Sequence, residues 1–136
     1  MASRREQREY ALQICFANFF DKDDVENTIS HIHHMDDDEL KHADGELTKR
    51  LVDAVCANAE TYDKKIESKL KDWTIDRIST IDRMILRLAI AEFEECTDIP
   101  NEITINEMLE LAKKYSTDKS KNFINGVLDA LLKDKH

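Results

Sequence analysis

The sequence predicts an all-α protein, a bundle of about seven helices forming one domain over residues 1–136. Two glycines, Gly45 and Gly126, and one proline, Pro100, leave β-hairpin turns and glycine-rich phosphate loops almost without raw material. That excludes dinucleotide-binding and P-loop enzymes, sandwiches and barrels. Apolar residues recur at helical spacing through most of the chain, with no internal repeat or interdomain linker. At 41% hydrophobic and 36% charged residues the chain can build a core. No run approaches the roughly 20 apolar residues of a membrane span. The charged start, Ser3-Arg4-Arg5-Glu6, has no apolar signal core behind it, so the expected location is the cytoplasm.

Ser3 followed by Glu6 is a capping box, which starts the first helix at Arg4. Ala11, Leu12, Cys15, Phe16, Phe19 and Phe20 give it one buried face. Arg4, Arg5 and Arg8 fall in its first two turns, where cations oppose the helix dipole. Such a placement suggests an anionic partner. It also predicts that replacing all three arginines leaves folding almost unchanged. Residues 21–46 hold ten acids against Lys22 and Lys41. Val25, Ile29 and Ile32 mark one brief helix there. His31, His33, His34 and His42 lie in the same stretch, but lack a convergent ligand set, so no metal is expected.

A long helix is predicted from Asp44 to about Leu70, with Leu47, Leu51, Val55, Ala59, Tyr62, Ile66 and Leu70 on one stripe. Trp73 closes this half. A short helix around Ile75 and Ile78 precedes a longer one, capped by Thr80, that carries Ile81, Met84, Ile85, Leu88, Ala89 and Phe93. Asp98-Ile99-Pro100 breaks the pattern. A helix over 102–115 and a last one carrying Phe123, Ile124, Val127, Leu128 and Leu131 complete the chain.

The net charge of −9 is unevenly spread. Residues 1–20 and 113–136 are locally basic, and local potential governs whether phosphates dock. Cys15, Cys56 and Cys96 form no CxxC, and each reads as a reduced core thiol. No residues stand at a catalytic spacing, which predicts a non-enzyme without cofactor. Glu92 and Glu107, near apolar stripes, read as acceptors of interhelical hydrogen bonds, with Asn106 and Asn125 as partners. Phe123 admits two readings, a core position beside Ile124 or a platform for a stacked base near Lys119 and Lys121.

Asp82-Arg83-Met84-Ile85-Leu86-Arg87-Leu88-Ala89-Ile90-Ala91-Glu92-Phe93 resembles a segment of the NusB family of transcription antitermination factors. Ile99-Pro100, Ile105-Asn106-Glu107, Glu110-Leu111-Ala112-Lys113-Lys114-Tyr115 and Phe123-Ile124-Asn125-Gly126-Val127-Leu128-Asp129 follow in that family's order. Arg4-Arg5 with Arg8-Glu9 is similar to its N-terminal arginine motif. The resemblance covers nearly the whole chain, most weakly over 21–45. It implies two packed three-helix lobes with an additional helix. It further implies binding to boxA RNA of nascent ribosomal transcripts together with NusE, a small-subunit ribosomal protein, on RNA polymerase, suppressing premature termination. By the same resemblance Arg4, Arg5, Arg8, Asp82, Arg87, Lys119, Ser120 and Phe123 would form the RNA face. The carboxylate of Asp82 would accept from a base amino group.

Family members occur as monomers and homodimers, and also fused to an RNA methyltransferase; the short tail after Leu132 predicts no such catalytic domain here. Glu6 and Gln7 interrupt the arginine run, and the body is acidic. Both features predict weak RNA affinity without the partner. Two rival readings follow from the charges: an interaction module of the same fold that has lost RNA binding, and a hydrolase or metal-dependent enzyme using the Asp/His segment 31–38.

Overall fold

The computed structural model describes residues 3–20, 45–71 and 74–133. Among these lie five α-helices and one 3-10 turn. They are α1 (Arg4–Phe20), α2 (Glu46–Glu67), the 3-10 turn (Ile75–Arg77), α3 (Thr80–Glu95), α4 (Asn101–Tyr115) and α5 (Asp118–Lys133). The expected count of about seven is therefore not reached within the described residues. The brief helix expected near Val25, the histidine cluster and Trp73 all lie outside them. The short helix expected before α3 is the 3-10 turn.

The helix ends follow local chemistry. The Ser3 hydroxyl accepts from the Glu6 amide, and the Glu6 carboxylate accepts from the Ser3 amide, both at 3.1 Å, as a capping box requires. The cap of α3 is Ser79 rather than Thr80, its hydroxyl accepting from the Asp82 amide at 3.3 Å. The start of α2 is set by tertiary contact. Gln7 of α1 accepts from the Leu47 amide at 3.0 Å, and its backbone carbonyl accepts from the Thr48 hydroxyl at 2.9 Å. A Cβ at Gly45 would stand 2.2 Å from the Gln7 amide oxygen, so a larger residue there would displace the Gln7 side chain from its bond to Leu47. Asn58 interrupts α2 with φ −127°, and its side chain donates to the Ala54 carbonyl one turn back.

Helix α3 is the hub. It packs against α1, α2, α4 and α5, and α3, α4 and α5 together form a three-helix lobe. Every residue from Met84 to Phe93 is buried. A helical stretch enclosed on all sides loses its polar face, and Met84–Phe93 is accordingly almost wholly apolar. The two exceptions are Arg87 and Glu92, and each must find a partner inside the protein. Cys15 and Cys96 are buried as expected, but Cys56 is exposed. It lies on α2 beside the exposed Asp53 and Ala57, off the stripe of Leu51, Val55, Tyr62 and Ile66.

Candidate nucleic-acid interface

The eight residues expected to meet RNA divide into a surface group and an internal group. Arg4 and Arg5 stand exposed at the start of α1. Arg5 reaches Glu107 of α4, with Nε 2.9 Å and Nη2 3.2 Å from the carboxylate, while its side chain stays 64% exposed. One turn on, Glu9 accepts from Lys114 and from the Tyr115 hydroxyl, and Gln13 donates to that same hydroxyl at 3.0 Å. These polar bridges lay the outer face of α1 along α4. Burial alone would raise the Glu9 carboxyl, but the bonds from Lys114 and Tyr115 prevail and hold it below its ordinary value.

Arg8 points the other way. It is 2% exposed, and its guanidinium meets the fully buried Glu92 in a two-point fork at 2.7 and 2.9 Å. Thr104 of α4 donates its hydroxyl to the second carboxylate oxygen of Glu92. The expectation that Arg8 extends into solvent is thus corrected. So is the choice of Asn106 and Asn125 as partners of Glu92, since Arg8 and Thr104 fill that role. The sequence held the signal: Arg8, Ala11, Leu12 and Cys15 share helical spacing, so Arg8 continues the buried stripe.

Arg87 is also internal. It forks onto Asp63 of α2 at 2.8 and 2.6 Å, and Arg83 reaches the same carboxylate at 2.7 Å. Both guanidinium groups lie over the Phe19 ring, 5.1 Å away for Arg83 and 5.6 Å for Arg87. This corrects the placement of Arg87 on an open RNA face. Asp82, 5% exposed, accepts from the Ser116 hydroxyl at 2.9 Å, so its carboxylate is engaged by the link between α4 and α5. Five residues separate Asp82 from Arg87, and at 3.6 residues per turn that sets them on different sides of α3.

Lys119 is exposed at the start of α5. The backbone amide of Ser120 donates to the Thr117 hydroxyl at 3.1 Å, which caps that helix. Phe123 is half-buried. It packs against the core, yet also lines a surface groove of about 350 Å³ with Lys69, Leu70, Lys71, Asn122, Gly126 and Val127. The core reading thus describes one side of the ring, while the cations that share its groove are Lys69 and Lys71 rather than Lys119 and Lys121. Lys69 and Lys71, beside it, were not singled out from the sequence. Nothing local in the turn after α2 marks them, because only tertiary packing brings them to α5.

Asp63 gives the cluster a pH signature. Burial pushes its carboxyl up, but hydrogen bonds from Arg87 and Arg83 outweigh this and hold it below the ordinary aspartate value. A carboxyl lowered in the folded state contributes stability above its unfolded value of about 3.9, and loses it as the pH falls through the folded value. Asp63→Asn should therefore lie well below the wild type in urea stability at pH 7, with the gap closing toward pH 2–3. A gap independent of pH would show that the ionised carboxylate is not what holds the two arginines.

The comparisons with known proteins agree in direction. A family model described as "NusB family" matches residues 5–133. The chain is 40% identical over 131 residues to the transcription antitermination protein NusB of Clostridium botulinum strain Alaska E43, covering 96% of this chain and 98% of that one. A structure of T. maritima NusB superposes with a TM-score of 0.82 at 33% identity, covering 98% and 94% of the two chains. The structure of antitermination factors NusB and NusE in complex with double-stranded RNA gives 0.77 at 26% identity, covering 96% of each chain.

Proposed function

The chain belongs to the NusB family, and from that premise we propose that it is a non-enzymatic antitermination factor. In this reading it binds boxA RNA of nascent ribosomal transcripts jointly with NusE, on RNA polymerase in the cytoplasm. The single observation that carries it is the near end-to-end match to curated antitermination proteins. The exposed arginines at the start of α1 support it locally, as do Lys114 on the adjoining edge of α4 and Lys119 with Phe123 on α5. Arg4, Arg5 and Lys119 would meet phosphates. Phe123 would carry a base. Arg8, Asp82, Arg87 and Ser120 would act from behind the surface, by fixing α1 and the starts of α3 and α5.

The test is a binding titration of boxA RNA with and without NusE. Arg4→Ala combined with Arg5→Ala should weaken binding at least tenfold and flatten the salt slope by about 0.7 per lost phosphate contact. The helical circular dichroism should stay unchanged, since both side chains are exposed. Unchanged affinity and salt slope in the presence of NusE would overturn the assignment.

One observation favours a second reading, an interaction module of the same fold with lost RNA binding. Burying Arg8 leaves two exposed arginines in the motif, on a chain of net charge −9. Capture of NusE with no RNA shift at low salt would select it.

A further inference from the structure

Glu107 of α4 accepts from Arg5 of α1 across 102 residues of chain. The Glu107 side chain is 19% exposed against 64% for Arg5, so the carboxylate is the anchored member of the pair. Its helix packs in turn on the hub, α3. The two bonds engage one edge of the guanidinium, with Nε and Nη2 each facing a carboxylate oxygen. A guanidinium carries five N–H donors in one rigid plane, so three remain, two on Nη1 and one on Nη2. None of these three has a partner among the described residues. Together they form a second fork, the edge with which an arginine takes a phosphate at two points.

We propose that Glu107 is a positioning residue for RNA binding: it holds the Nε edge of Arg5 so that the outer edge meets a phosphate already ordered. A long exposed side chain otherwise loses its rotamer freedom only when the ligand binds, and affinity falls by that cost. The inference rests on the RNA-binding reading above and brings the glutamate of Ile105-Asn106-Glu107 into it. The sign of the effect sets it apart from simple charge. A carboxylate beside an RNA surface repels phosphates, and its removal should then strengthen binding. Here the guanidinium stands between carboxylate and phosphate, and removal of the carboxylate should weaken binding.

The experiment titrates single-stranded boxA RNA against the full chain with NusE, alongside urea unfolding of each variant. Glu107→Ala should bind roughly three- to tenfold more weakly than the wild type, the range for ordering one long side chain, although it removes a negative charge. In an Arg5→Ala background the same change should bring no further loss, because no guanidinium is left to hold. In an Arg4→Ala background the loss should persist. Arg5→Lys should lose nearly as much as Arg5→Ala, since an ammonium held by the carboxylate has no second planar fork to offer. Adding Glu107→Ala to Arg5→Lys should restore part of that loss by freeing the ammonium. Affinity at or above wild type in Glu107→Ala would overturn the proposal, as would an equal loss with and without Arg5. If Glu107→Ala fails to fold, wild-type affinity in Arg5→Lys overturns it instead. Unchanged binding when Arg4→Ala and Arg5→Ala are combined would overturn the RNA-binding reading itself, and the positioning role with it.

Discussion

Arg8→Ala is expected to destabilise the fold by about 3–5 kcal/mol, the loss typical of a buried ion pair deprived of one partner. The cause is the residue left behind. Glu92 is fully buried on α3, and without the guanidinium fork its carboxylate keeps only Thr104 as a partner. An uncompensated charge in that position costs more than the pair itself contributes. The midpoint of urea unfolding measures it. Replacing both members with apolar residues of similar size, Arg8→Met with Glu92→Leu, should recover most of the loss, because no charge then remains to be desolvated. A loss below about 0.5 kcal/mol for Arg8→Ala, the range of surface substitutions, would mean that Arg8 is not buried in solution. The prediction bears on any RNA experiment. Removing Arg4, Arg5 and Arg8 together mixes lost contacts with lost folding, and only Arg4 and Arg5 can be changed without disturbing the core.

Leu88→Ala should cost about 2–5 kcal/mol, from lost transfer energy and the cavity left behind. Leu88 is 0% exposed at the centre of the helix against which α1, α2, α4 and α5 all pack. Four helices converging on one segment leave little freedom to collapse into the vacated space, which argues for the upper part of that range. A loss under about 1 kcal/mol, in the same urea titration, would mean that α3 is not enclosed as described. Helical circular dichroism of the folded variant should match the wild type, since the change removes packing and keeps helix propensity.

Much of the architecture was legible because helices are local objects. The capping box of Ser3 and Glu6, the break at Pro100 and the apolar period of α3 each act within a turn or two of chain. The shift of the α3 cap from Thr80 to Ser79 is a displacement of one residue within the same local grammar. The candidate site was legible only in part. Composition marked the basic start of α1 and the aromatic of α5, and both lie at the surface. Asp82 and Arg87 were assigned to that surface by the family resemblance and Arg8 by its place in the arginine cluster, although the spacing of Arg8 with Ala11, Leu12 and Cys15 marked it as inward. Cys56 erred in the opposite sense, an apolar type placed in the core that α2 turns outward.

By itself, then, the sequence determined that this chain is helical, where several of its helices begin, and which family's pattern it carries. Only the tertiary structure decided which charges are interior. Arg8 meets Glu92 across 84 residues of chain, and Arg87 meets Asp63 across 24. Helix periodicity is set by backbone hydrogen bonds four residues apart, so it is written along the chain. Desolvation of a charge is set by whatever other helices close around it, and those helices lie far away in sequence until the packing of α3 brings them together.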